Sequence, residues 1–136
     1  MAKVSKTVEE WRAQLTPAQF DVTRYKVTEK AFSGEYWDSK VAGVYSCVCC
    51  DNQVFAAEVQ YDAGTGWASF SEPVEAGAIV MREDHSLFME RTEIMCADCE
   101  AHLGHVFADG PKPGGQRFSL NSAALRFKPA VDAHVI

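Results

Sequence analysis

With 136 residues, 47% of them hydrophobic and 24% charged, the chain is long enough to close one hydrophobic core without disulfide staples. Acidic side chains outnumber basic ones 19 to 13, for a net charge of -6, and no Lys/Arg cluster occurs, which excludes a phosphate-tracking surface and with it nucleic acid as a partner. The mostly polar start from Met1 to Trp11 carries no apolar leader and no run approaches the length of a membrane span, so a soluble, cytoplasmic single domain over residues 1–136 is expected, without membrane contact.

Two short helices are predicted first. Thr7 to Gln14 begins with the Thr7…Glu10 capping-box pattern, and Thr16 followed by Pro17 starts a second helix running toward Thr23. From Gly43 onward the texture changes to short runs rich in Val, Tyr, Phe and Thr, interrupted by Gly, Pro, Asn and Asp about every eight to twelve residues, as antiparallel strands are. The predicted strands are Gly43–Cys47, Val54–Tyr61, Ala78–Arg82, Leu87–Met95, His102–Phe107, Gln116–Asn121 and Ala124–Phe127. The core runs over about residues 8–128, and 129–136 reads as a loose tail. The fold class is α+β, mainly β: two small antiparallel sheets with short N-terminal helices on or beside them.

Five cysteines, odd in number and bunched, suit a metal or thiol chemistry better than a disulfide framework. Cys47-Val48-Cys49-Cys50 and Cys96-Ala97-Asp98-Cys99 each contain C-x-x-C, the spacing that lets two thiolates from one tight turn reach the same tetrahedral ion. The assignment is one structural Zn²⁺ on Cys47, Cys50, Cys96 and Cys99, with no open position for chemistry. Using Cys49 in place of Cys50 gives the tighter C-x-C and is the second choice. No thioredoxin-like βαβ pattern surrounds either turn, which argues against a redox C-x-x-C.

In Arg117-Phe118-Ser119-Leu120-Asn121 polar and apolar residues alternate, so on a strand Arg117, Ser119 and Asn121 share a face. A half-exposed strand with its polar side in water would read the same way. The apolar parity then slips between Ser122 and Ala124, since Phe118 and Leu120 are even-numbered and Leu125 and Phe127 odd; a bulge or bend is expected there. His102 and His105 lie close to the second cysteine turn, where a hydrogen-bonding and a proton-handling role both fit. Gly64-Thr65-Gly66-Trp67 is a glycine-rich bend whose indole suits one wall of a small apolar pocket, although packing alone would also explain it.

Taken in order, these blocks resemble the methionine sulfoxide reductase B family from about Val8 to Lys128. The resemblance is carried by Cys47…Cys50, by Gly64 to Phe70, by Arg91 to Cys99, by His102 to Pro111, and by Arg117 to Leu125. It implies thiol-dependent reduction of the R epimer of methionine sulfoxide, free or in proteins, with thioredoxin or a similar thiol as reductant and a Cys₄ zinc away from the active site. It also implies that Ser119 occupies the position of the nucleophilic Cys and that Trp67 packs on the sulfoxide methyl group. His105, Asp109, Arg117 and Asn121 would form the polar network around substrate oxygen and nucleophile, with His102 among the substrate-binding residues.

The sequence departs from the family pattern at five positions. Besides Ser119, Thr65 stands where many members carry a resolving Cys, Ala68 replaces Pro, and Glu100 and Gly114 replace the commoner Gly and Thr. Serine is a poor nucleophile without a dedicated base and has no redox ladder, so the chain is expected to be inactive as a reductase, through an engineered exchange or a natural loss. With Thr65 in place, Cys49 is the only cysteine outside the proposed zinc shell, and direct reduction by an external thiol is the simpler expectation. A monomer is expected. Two rival readings are a non-catalytic methionine-sulfoxide-binding protein and a zinc-ribbon-like interaction module, the latter with no reason for Trp67, His105, Arg117 and Asn121 to converge.

Overall fold

The computed structural model describes residues 3–85 and 90–130. Helices α1 (Val8–Gln14) and α2 (Pro17–Tyr25) come first. Both start in complete capping boxes, Thr7 with Glu10 and Thr16 with Gln19, so two otherwise orphaned N–H groups are satisfied at each end. The buried face of α1 is little more than Trp11, whose ring is flanked by the Arg24 guanidinium of α2 at 4.3 Å and by Lys6 Nζ at 5.2 Å.

The strands among the described residues are β1 (Gly43–Cys47), β2 (Gln53–Ala56), β3 (Gln60–Tyr61), β4 (Ala68–Phe70), β5 (Ile79–Asp84), β6 (Arg91–Cys96), β7 (His102–Phe107), β8 (Arg117–Leu120) and β9 (Leu125–Pro129). They form two antiparallel sheets, β2-β1-β9 and β3-β4-β8-β7-β6-β5. Aromatic side chains join the sheets: Phe55 of β2 stacks on Phe70 of β4 at 4.8 Å, and Tyr45 of β1 meets Phe70 edge-on at 5.2 Å. Such contacts each add about 0.5–1.5 kcal/mol beyond their area burial. α2 packs against β7 and against the 3₁₀ turn Ser122–Ala124.

Several boundaries differ from the sequence reading. The single strand expected over Val54–Tyr61 is β2 and β3 separated by a 3₁₀ turn at Ala57–Val59, because the chain passes here from one sheet to the other. Of the strand expected over Leu87–Met95, β6 covers Arg91–Cys96; Leu87, Phe88 and Met89 lie outside the described residues. β4 was not anticipated, since three residues are too short for an alternation to register. Pro129, expected in the tail, pairs with Gly43 in β9, and the Ala130 N–H donates to Ala42 O at 2.9 Å. The parity slip after Leu120 corresponds to the turn Ser122–Ala124, which carries the chain from the larger sheet into the smaller one. Among the described residues no helix is long and apolar enough to cross a membrane.

Candidate active site and metal centre

The two cysteine turns are near copies of each other. Cys47 N–H donates to Asn52 O and Asp51 N–H to Cys47 O, at 2.8 Å each; Cys96 N–H donates to Ala101 O and Glu100 N–H to Cys96 O, at 2.9 Å each. Asp51 and Glu100, the residues just after each C-x-x-C, both have left-handed backbone, with φ of 68° and 63°. That repeated turn folds the thiols of Cys47, Cys50, Cys96 and Cys99 inward, all within 4.8 Å of one another.

Cys47 and Cys99 Sγ are 3.6 Å apart and Cys50 and Cys96 Sγ 3.5 Å, too long for disulfides and close to the roughly 3.8 Å edge of a tetrahedron with Zn–S bonds of about 2.3 Å. Contacts with Cys49, then with Cys50, Cys96 and Cys99, push the Cys47 thiol above its ordinary range, while contact with Cys47, then Cys50 and Cys99, pulls Cys96 below it. Thiols crowded this way cannot ionise independently, and a bound dication removes the conflict. Arg24 Nη2, 3.3 Å from Cys99 Sγ, and Asn52 Nδ2, 3.6 Å from Cys96 Sγ, supply outer hydrogen-bond donors suited to thiolates. Cys49 is buried beside this group but outside it.

The second constellation is built on β8. The strand alternates half-buried and buried residues, with Phe118 and Leu120 in the core and Arg117 and Ser119 on the other side. Ser119 sits opposite Ser69 of β4 and His105 of β7, so position 119 is flanked on both edges by paired strands. A cleft of about 170 Å³ opens over it, lined by Thr65, Trp67, His105, Arg117, Ser119 and Asn121 together with Thr28 and Arg91. Gly104 lines it too, and only glycine fits there: a Cβ would lie 2.0 Å from Ser119 O.

Arg117, His105, Asn121 and Trp67 are each held by a partner from outside the cleft lining. Arg117 donates from Nε and Nη2 to the two carboxylate oxygens of Asp109 at 2.8 and 3.2 Å, and its guanidinium stacks 4.4 Å from the Phe107 ring. The Arg117 hydrogen bond holds the Asp109 carboxyl below the usual carboxylate range. Asp109 itself does not line the cleft; it aims the arginine. His105 Nε2 lies 2.8 Å from Asp84 Oδ2, and Arg91 Nη2 is 3.6 Å from the same oxygen. Asn121 accepts from Glu29 N–H through Oδ1 at 3.0 Å and donates through Nδ2 to Leu103 O at 3.3 Å. Trp67 Nε1 donates to Glu29 O at 3.0 Å.

His102 does not line this cleft. A β-bulge opposite Ile94 and Met95 resets the alternation of β7, so the two imidazoles sit edge to face 5.2 Å apart, with His102 one row behind His105. Its Nδ1 is 2.7 Å from the fully buried Glu93 carboxylate, which Lys26 Nζ also approaches at 3.1 Å. Burial alone would raise the Glu93 carboxyl, but hydrogen bonds from His102 and Lys26 overcome it and leave it below the usual range; burial in turn lowers His102. A carboxylate can only accept, so in this pair His102 Nδ1 carries the hydrogen. Asp84, Glu29 and Thr28 escaped the sequence reading, because nothing local in Arg82-Glu83-Asp84-His85 or in the stretch from Lys26 to Ser33 marks a partner at long range.

The chain that carries this four-thiol centre and cleft on its two sheets matches the model of the SelR domain over residues 15–129. The peptide methionine sulfoxide reductase MsrB of Hahella chejuensis is 55% identical over 130 residues, covering 96% of this chain and 94% of that protein. That of Pseudomonas entomophila is 52% identical over 129 residues, 95% and 98% of the two chains. The chloroplastic B1 enzyme of Oryza sativa subsp. japonica is 50% identical over 124 residues, 91% of this chain and 58% of its own length. The chain belongs to the peptide methionine sulfoxide reductase B family.

Proposed function

We propose that the cleft binds methionine-R-sulfoxide, free or within a protein, on the scaffold of a thiol-dependent methionine-R-sulfoxide reductase whose nucleophile position holds Ser119. The reading rests on one observation, the convergence of Trp67, His105, Arg117 and Asn121 around Ser119 in a single cleft. An indole face suits the sulfoxide methyl group, and cationic and amide donors suit the oxygen, whose charge grows as sulfur is attacked. In reduction a thiolate at position 119 would attack the sulfoxide sulfur while protons reach the oxygen. The oxygen would end on the enzyme sulfur as a sulfenic acid, and methionine would leave. The thiol is oxidised by two electrons and the sulfoxide reduced by two. A serine hydroxyl cannot complete that exchange, so the chain as it stands is inactive as a reductase.

The remaining parts follow from the same reading. Cys47, Cys50, Cys96 and Cys99 hold one Zn²⁺, which supplies folding energy and no chemistry because its sulfur shell is full. His102 supports the ring of His105 rather than touching substrate. The Thr65 hydroxyl offers no resolving thiol, so a restored sulfenic acid would be reduced directly by thioredoxin or a similar thiol. The working form is a cytoplasmic monomer. Ser119 itself favours one second reading, a protein that binds methionine sulfoxide without reducing it; the interaction-module reading gives no reason for the cleft.

Titration of the chain with the two epimers of N-acetyl-methionine sulfoxide tests recognition. The R form should bind more tightly, and Trp67→Ala should weaken it at least about tenfold, or 1.4 kcal/mol, with the preference lost. Equal binding of both epimers, or indifference to Trp67, contradicts the reading. A further expectation concerns Asp84: in a Ser119→Cys background, Asp84→Asn should lower kcat at least about tenfold with KM little changed, because His105 loses the carboxylate that fixes its ring. A rise confined to KM, with kcat unchanged, would place Asp84 in substrate binding instead.

A further inference from the structure

Going one step deeper on the same reading, we propose that Glu29 is a positioning residue that clamps the two walls of the cleft, Trp67 and Asn121, and thereby sets the discrimination between sulfoxide epimers without contacting substrate. Glu29 does not line the cleft, although Thr28 beside it does. Its backbone ties to both walls: the Glu29 carbonyl accepts from the Trp67 indole N–H at 3.0 Å, and the Glu29 N–H donates to Asn121 Oδ1 at 3.0 Å. These are the apolar and the polar sides of the same cavity, brought together from positions 38 and 92 residues away in sequence.

The side chain anchors this backbone. Glu29 Oε1 accepts from the Ala123 N–H at 3.0 Å, in the turn that follows β8 and Asn121. The carboxylate is seated tightly, since a Cβ on Gly34 would come within 2.1 Å of Glu29 Oε2. Three residues on, Phe32 N–H donates to Gly66 O at 2.8 Å. Gly66 has φ of +91°, and a Cβ there would meet Phe32 N at 2.8 Å, so the strap and the Gly64–Trp67 bend touch backbone to backbone. Phe32 itself has φ of 66°, a conformation an aromatic residue holds only when its surroundings impose it.

An aromatic wall facing an amide donor distinguishes epimers only if their separation is fixed, because the two epimers differ in which side of sulfur carries methyl and which oxygen. A wall free to shift by an ångström would accept both. The clamp is thus the part of the chain that makes geometry into selectivity. A bare structural latch would affect stability and leave selectivity alone.

The test uses NMR on the chain as it exists, on Glu29→Ala, and on Glu29→Gln, which keeps an acceptor oxygen for Ala123 N–H. The Trp67 indole N–H and the Asn121 side-chain amide are followed without ligand and during titration with the R and S epimers of N-acetyl-methionine sulfoxide. Without ligand, Glu29→Ala should shift both signals. Its R-epimer Kd should rise about tenfold while that of the S epimer stays level, and Glu29→Gln should keep the epimer ratio within about threefold of the parent. Glu29→Asp, one methylene too short to reach Ala123, should repeat the alanine result and carries the test if Glu29→Ala does not fold. Unmoved Trp67 and Asn121 signals, or a lowered Tm with the epimer ratio intact, overturns the clamp. If neither epimer binds the parent chain, the sulfoxide reading fails, and the ligand-free shifts still decide the clamp.

Discussion

Replacing Ser119 by cysteine should give the chain multiple-turnover reduction of methionine-R-sulfoxide in the presence of dithiothreitol or thioredoxin, from a background with none. The change is small in volume and decisive in chemistry. Position 119 lies in a central strand, opposite His105 and one alternation from Arg117 and Asn121, and all three line its cleft. A thiol there inherits a guanidinium that favours the thiolate, and donors aimed at the departing oxygen. Adding His105→Ala or Arg117→Ala to Ser119→Cys should cost about 10²-fold or more in kcat, the usual scale for losing a proton donor or a charge-stabilising group in the transition state. Without a cysteine at position 65, turnover should follow the concentration of external thiol directly. A Ser119→Cys protein that is folded and metal-loaded yet silent on both epimers would leave the binding-protein reading in place.

Loss of the metal should produce the largest change in stability. Structural Zn²⁺ sites contribute about 10–16 kcal/mol of apparent binding energy in small peptides, which matches or exceeds the 5–15 kcal/mol of net stability of a typical domain. Here the aromatic contacts between the sheets provide a core apart from the thiols, so Cys96→Ser should fold but melt about 10–20 °C lower, equivalent to some 4 kcal/mol in a domain of this size. The first region to loosen should be α1 and α2, because Arg24 bonds both Cys99 O and Cys99 Sγ and carries Trp11. Protons compete with metal for thiolates, so release should increase as pH falls. Cys49→Ser should keep its zinc by elemental analysis. Retention in Cys96→Ser and loss in Cys49→Ser would reassign the ligands.

What the sequence made legible was local. The cysteine turns declare themselves by spacing, and the structure repeats one turn twice with the same hydrogen bonds. The face shared by Arg117, Ser119 and Asn121 follows from the period of a strand, and both helix starts follow from threonine and the residue three positions on. The apolar parity slip was legible as a bend, though not as a change of sheet.

What stayed hidden depends on pairing over distance. Asp84 meets His105 only because β5 and β7 both flank β6, and Glu29 meets Trp67 and Asn121 only once the strap from Lys26 to Ser33 is laid along the cleft. The relation of His102 to His105 was hidden for another reason. Strict alternation puts residues three apart on opposite faces, and it is a bulge, which no local pattern signals, that brings the rings together. The split of Val54–Tyr61 likewise reflects the need to cross between sheets rather than any breaker residue.

The most direct measurement is a single turnover of zinc-loaded Ser119→Cys protein with excess N-acetyl-methionine-R-sulfoxide and no reductant. One equivalent of N-acetyl-methionine should be released per chain, and mass spectrometry after trapping with dimedone should find one sulfenic acid on residue 119; the S epimer should yield neither. Release of no methionine would contradict the assignment of this cleft as a reductase site, and equal release from both epimers would contradict its selectivity for the R form.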